Sequence, residues 1–95
     1  MTEIVLLQGA QSDYLEAYCQ YGDRFHDEIE RAFSQLATFP ESAPIFFGKY
    51  RRLVIRHTPF GAFYTVSGER VMIGAILDLR QDPAAILRRM KQVEG

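Results

Sequence analysis

Residues 49–79 read KYRRLVIRHTPFGAFYTVSGERVMIGAILDL, a run of strand signals broken only by turn residues. From Lys49 to His57 the chain alternates, with Arg52, Val54 and Arg56 on one side and Leu53, Ile55 and His57 on the other. A period of two belongs to a strand, because successive side chains leave the pleated backbone on opposite faces. Thr58-Pro59 interrupts the run, and Phe60–Val66 resumes it with Phe63 and Thr65 opposite Tyr64 and Val66. Ser67-Gly68-Glu69 supplies a tight turn, so Arg70–Leu79 becomes the second arm of a hairpin. In that arm Val71, Ile73, Ala75 and Leu77 face one way and Met72, Gly74 and Ile76 the other. Both faces are mostly apolar, which predicts a central strand covered from more than one side.

Helical periods flank this core of strands. Residues 3–8 (EIVLLQ) predict a short buried strand that Gly9 and Ala10 break. Ser12 or Asp13 then caps a helix, with Glu16 placed for a capping box and Tyr14, Leu15, Tyr18 and Cys19 as its apolar stripe. Gly22 ends that helix and Asp23 caps the next. Phe25, Ile29, Ala32, Phe33, Leu36 and Ala37 follow at helical spacing until Pro40, with Asp27, Glu28, Glu30 and Arg31 largely opposite. So short a connection predicts an antiparallel helical hairpin. Residues 40–48 read as loop with an extended piece at Ile45–Phe47, where two adjacent phenylalanines point to opposite faces.

After the strands, Asp82 caps a last helix with Pro83 at its first position. Ile86, Leu87, Met90 and Val93 form its stripe, and Arg88, Arg89 and Lys91 lie away from it. The order β-α-α-β-β-β-α predicts an α+β domain, an antiparallel sheet packed by an N-terminal helical hairpin. At 95 residues the chain is one domain spanning 1–95.

Composition excludes several classes. Apolar runs reach only three or four residues, too short for a bilayer, and the start lacks a secretory signal's basic and apolar regions. With a single cysteine, Cys19, these features predict a cytoplasmic protein. Net charge is −1, but it divides: residues 1–48 carry eight acids and two arginines, while residues 49–95 carry nine bases and four acids. Nine of the eleven bases are arginine, the better partner for carboxylate and phosphate. This division predicts a dipolar molecule with an anion-facing C-terminal half.

Arg52 and Arg56 are expected on one strand face with Arg80 at the end of another, a cluster able to hold phosphate or an acidic tail. His57 is the one histidine in a strand and the candidate acid or base. Tyr64 offers a hydroxyl, although a tyrosine in a sheet usually serves packing, and Phe46, Phe47 and Phe60 are candidates for an exposed aromatic patch. No metal-ligand spacing and no phosphate-cradling glycine motif occurs, so no metal or cofactor is expected.

Three segments in order carry a family resemblance: LATFPESAP (Leu36–Pro44), YRRLVIRHTPFGAFYTV (Tyr50–Val66) and VMIGAILDLRQDP (Val71–Pro83). Nearly the whole chain resembles the RelE/ParE toxin superfamily of bacterial toxin–antitoxin modules, also called plasmid stabilisation proteins. Arg51-Arg52, Thr58-Pro59-Phe60, Phe63-Tyr64 and Arg80-Gln81-Asp82-Pro83 fill that family's basic strand, Pro-aromatic step, aromatic strand and closing basic-Asp-Pro step. The resemblance implies a small toxin held inactive by a cognate antitoxin. RelE-like members cut mRNA in the ribosome, whereas ParE-like members poison DNA gyrase and cleave nothing.

RelE-like toxins place an arginine in the strand written here Phe60-Gly61-Ala62-Phe63-Tyr64, and a Tyr or His near the C-terminus. Here Gly61 and Ala62 stand in the strand, and neither Tyr nor His follows Arg80. Cutting RNA needs an acid, a base and cations at the phosphate, and ribosome-directed binders usually carry a basic excess that a pI of 6.1 lacks. The ParE-like branch, with no enzymatic activity, is therefore favoured. The resemblance then implies that Arg51, Arg52, Arg56, Phe60, Tyr64, Arg80, Arg88 and Arg89 contact target or antitoxin. The alternatives are a ribosome-dependent mRNA endonuclease using Arg52, Arg56, His57 and Arg80, and a decayed, non-toxic member.

Overall fold

The computed structural model describes residues 2–94. The elements are β1 (Glu3–Leu6), α1 (Gln8–Tyr21), α2 (Asp23–Thr38), β2 (Ile45–Phe47), β3 (Tyr50–Val54), β4 (Phe60–Ser67), β5 (Arg70–Asp78) and α3 (Pro83–Glu94). The five strands form one sheet in the order β1-β5-β4-β3-β2. The neighbouring pairs from β2 to β5 are antiparallel. The extended piece at Ile45–Phe47 thus becomes a paired edge strand. The sheet is antiparallel as expected except at its other edge, where β1 runs parallel to β5. The two helices and three strands between them supply the long connection that a parallel pairing requires.

Two apolar layers cover the sheet. Ala10, Ala17, Phe25, Ile29, Ala32 and Leu36 from α1 and α2 meet Ile55, Ala62, Tyr64, Val71, Ile73 and Ile76 on one face. On the other, Ile86 and Met90 of α3 meet Tyr50, Phe63, Ala75 and Leu77. The two-sided cover expected for Arg70–Leu79 is therefore present, but its alternation is not the one a plain strand predicts. Phe63 pairs with Ala75 and Tyr64 with Ile73, so Gly74 is an extra residue in β5. Such a bulge re-aims the side chains beyond it. Val71, Ile73 and Ile76 consequently belong to the hairpin side, and Ala75 and Leu77 to the α3 side. A Cβ on Gly74 would lie 2.7 Å from both Tyr50 Cε1 and Val93 Cγ1, so only glycine lets α3 approach this closely.

A second irregularity, between Ile45 and Phe47, brings both Phe46 and Phe47 onto the α3-side core. The expectation that they point to opposite faces is corrected by it. Helix α1 also departs from its sequence pattern. It starts at Gln8, with Gly9 and Ala10 inside it and no side-chain cap. Its buried residues are Ala10 and Ala17, whereas Leu15 is 62% exposed and Cys19 exposed. Small residues allow α1 to sit close to β5, and Asp13 uses that closeness. The Asp13 carboxylate accepts the Ile76 N–H (3.0 Å) and two bonds from the Arg89 guanidinium (2.8 and 3.1 Å). It ties α1, β5 and α3 together rather than capping a helix.

Helix α2 buries Phe25, Ile29, Ala32 and Leu36 as its period predicts. Asp23 is its first residue and accepts the Tyr18 hydroxyl at 2.7 Å, with Gly22 in the capping position. Helix α3 starts as expected, the Asp82 carboxylate accepting the Ala84 N–H at 3.0 Å.

Candidate functional site

Strand β3 ends at Val54, earlier than the alternation predicts, so Arg56 and His57 lie in the β3–β4 turn. Ile55 ends buried in the core while Val54 is 52% exposed. The Thr58 hydroxyl donates to the Ile55 carbonyl (2.8 Å) and accepts the Phe60 N–H (3.1 Å), which fixes the turn. His57 has φ 65°, a left-handed conformation that costs about 1–2 kcal/mol for a residue with a Cβ. Its Nδ1 lies 3.4 Å from Oε1 of Glu28.

Glu28 is the one buried charged side chain among the described residues. Arg31 donates to the same oxygen at 2.7 Å. Glu28, Arg31 and Gln35 from α2, with Val54 at the end of β3 and Arg56 and His57 from the turn, line a cleft of about 320 Å³. His57 also borders a second cleft with Tyr21, Arg24 and Pro59. Beyond it, Arg80 donates to both Asp78 oxygens (3.1 and 2.8 Å) and to the Tyr21 hydroxyl (3.4 Å). That pairing holds the Asp78 carboxyl below its ordinary pKa and raises that of Arg80. One end of the sheet thus carries a basic rim running Arg31, Arg56, His57, Arg24 and Arg80.

The expected cluster of Arg52, Arg56 and Arg80 does not form: Arg52 and Arg80 meet different neighbours, and Arg56 stands apart from both. Arg52 lies on the α3 face, its guanidinium 4.8 Å from the centroid of the Phe46 ring, which packs edge-on against Phe63. Arg56 makes no ion pair among the described residues, and Arg80 is neutralised locally by Asp78. Because β3 ends at Val54, Arg56 lies in the turn and does not continue the strand face of Arg52.

Other candidates serve the fold. Arg51 donates to the carbonyls of Ala43 (2.8 Å) and Glu41 (3.3 Å), pinning the loop before β2. Phe60 is buried, its ring centroid 5.2 Å from that of Phe25 and 5.5 Å from that of Tyr21, so it joins no exposed aromatic patch. Tyr64 is fully buried, and among the described residues its hydroxyl has no hydrogen-bond partner. Burial pushes that hydroxyl's pKa up, with the positive charge of Arg51 opposing part of the shift. Arg89 is committed to Asp13. Arg88 stands exposed on α3.

Glu28, Arg31 and Arg24 were missed by sequence reasoning. They lie in the acidic half, where summing charge by chain position hides two arginines among eight acids. The available signal was Glu28 itself, an acid only one residue from Ile29 on the apolar stripe of α2. Among the described residues no group of three or more His, Cys, Asp or Glu side chains is placed to hold a metal, and no helix is long and apolar enough to cross a membrane.

The fold is shared with solved structures. A copper-bound mutant toxin from Helicobacter pylori superposes with a TM-score of 0.67 at 15% identity, over 82% of this chain and 94% of the other. The chromosomal ParDE toxin–antitoxin system of P. aeruginosa gives 0.61 at 21% identity, over 80% and 94%. A mutant of E. coli YafQ gives 0.64 at 13%, over 90% and 98%. No curated protein sequence matches the chain significantly. The family model for the ParE toxin of the type II toxin–antitoxin system parDE matches residues 4–83. A match that opens in β1 and closes on the first residue of α3 takes in the helical hairpin and every strand, and on it this chain belongs to the ParE toxin family of type II toxin–antitoxin systems.

Proposed function

We propose that the protein arrests growth by binding DNA gyrase without itself cleaving nucleic acid, and that a cognate antitoxin neutralises it in the cytoplasm. One observation carries this beyond the family assignment. Of the residues a nuclease would use, only Arg56 and His57 share a cleft; Arg52 lies on the α3 face beside Phe46, and Arg80 is paired with Asp78. Cleavage through the RNA 2′-hydroxyl needs cations and an acid–base pair at a single point. Binding a large partner asks less, because separate arginines contribute as separate contacts over a broad surface. Arg56 and Arg88 are the exposed members suited to such contacts, and Arg80 joins them where a partner's acid competes with Asp78.

Induced expression without antitoxin tests this in one culture. Filaments and DNA breaks with intact ribosome-bound mRNA are expected. New mRNA ends inside codons, lost in Arg80→Ala, would replace the proposal with an endonuclease. Normal growth would indicate a decayed member.

A further inference from the structure

The cleft between α2 and the β3–β4 turn has the construction of a receptor. Ala32 and the exposed Val54 give it an apolar part of the lining. Its wall holds Glu28, whose side chain is only 10% exposed and whose Oε1 faces both Arg31 and His57. Glu28 is thereby an internal anchor, orienting one cation and one imidazole at the cleft edge. Arg56 is left over: it is exposed and has neither an ion pair nor a side-chain hydrogen bond among the described residues. An arginine free of protein partners beside a pre-oriented arginine presents the fork of donors that carboxylates fit.

The turn itself points the same way. Glycine would adopt φ 65° at His57 without the cost that a Cβ imposes, yet a histidine occupies the position with its ring towards Glu28. Backbone strain of this kind is retained where the side chain is used.

We propose that this cleft binds one carboxylate presented beside an aliphatic side chain, an acidic–apolar segment of a protein partner. Glu28 cancels one of the two arginines, leaving a single positive charge, which suits one carboxylate. A nucleic-acid backbone would bring a row of phosphates against Asp27 and Glu30, both exposed on α2. The aliphatic neighbour would lie on Val54 and Ala32. The proposal deepens the reading of this chain as a toxin captured by a protein, but its test uses the chain alone and fails or succeeds apart from gyrase.

The test is an NMR titration of the isolated protein at neutral pH with three probes: N-acetyl-Glu-Leu-amide, N-acetyl-Gln-Leu-amide and inorganic phosphate. The Glu peptide should shift the Arg56 Nε–Hε and Val54 methyl resonances saturably, in the millimolar range. The Gln peptide, and the Glu peptide on Arg56→Gln, should bind about tenfold more weakly, the loss of one charge-assisted hydrogen bond. His57→Gly should weaken binding while leaving thermal stability unchanged or higher, which a merely structural histidine would not do. No shifts at the cleft, or equal binding of the Gln peptide, would overturn the proposal. Phosphate binding as tightly as the Glu peptide would also overturn it, in favour of a phosphate site.

Discussion

Tyr64 and Asp13 show how differently single polar groups act once buried. The Tyr64 hydroxyl is out of water with no hydrogen-bond partner among the described residues, so removing it sacrifices none of their bonds. Tyr64→Phe is expected to leave stability within about 1 kcal/mol of the parent, on the stabilising side, in urea unfolding. Its pH dependence comes from the raised pKa. Above the ordinary value of 10.0 an unfolded tyrosine ionises while folded Tyr64 still holds its proton, so stability falls as pH rises past that point. Tyr64→Phe should flatten that fall, although Tyr50, also raised by burial, keeps part of it. Asp13 is the opposite case. Asp13→Ala strands the Ile76 N–H and the Arg89 guanidinium together, and a loss of about 2–4 kcal/mol is expected by the same assay. A loss below about 0.5 kcal/mol, near the error of the method, would mean that the clamp across α1, β5 and α3 is not formed in solution.

Among the elements, β5 is the one whose behaviour depends on a single glycine. Its register shift at Gly74 moves the face of every residue beyond it and opens the space that Tyr50 and Val93 fill. Gly74→Ala is expected to cost about 1–3 kcal/mol by overpacking, read as a lower thermal midpoint. An unchanged midpoint would mean that α3 is not seated there. The strands and helices themselves were legible in the sequence because period two and period 3.6 survive in Phe60–Val66 and in Phe25–Leu36. The features that escaped are the places where the period breaks for a tertiary reason. The bulges at Gly74 and Phe46 re-aim side chains that simple alternation misassigns. In α1 the large residues look like a core stripe, yet small Ala10 and Ala17 take the buried side because α1 must approach β5 closely. The parallel β1 escaped because pairing partners are set by topology, which no local pattern encodes.

At the scale of the whole molecule, the charge asymmetry along the chain is not an asymmetry between two halves of the surface. Arg89 and Arg70 from the basic half pair with Asp13 and Glu3 from the acidic half, while Arg24 and Arg31 from the acidic half join Arg56 at the rim. Of the candidate site, Arg56, His57 and Arg80 were therefore legible as residues, but their neighbours were not, because the turn geometry that assembles them begins with the early end of β3. Among the described residues the cations without an ion pair include Arg56 at one end of the sheet and Arg88 on α3, an arrangement that fits the proposed capture by a partner. Supercoiling by purified DNA gyrase, titrated with the refolded protein, tests that most directly. Inhibition with accumulation of cleaved DNA, and no cutting of mRNA on translating ribosomes at the same concentration, is the predicted result. Unimpaired supercoiling at a molar excess of toxin, with mRNA cleaved in the parallel reaction, would contradict it.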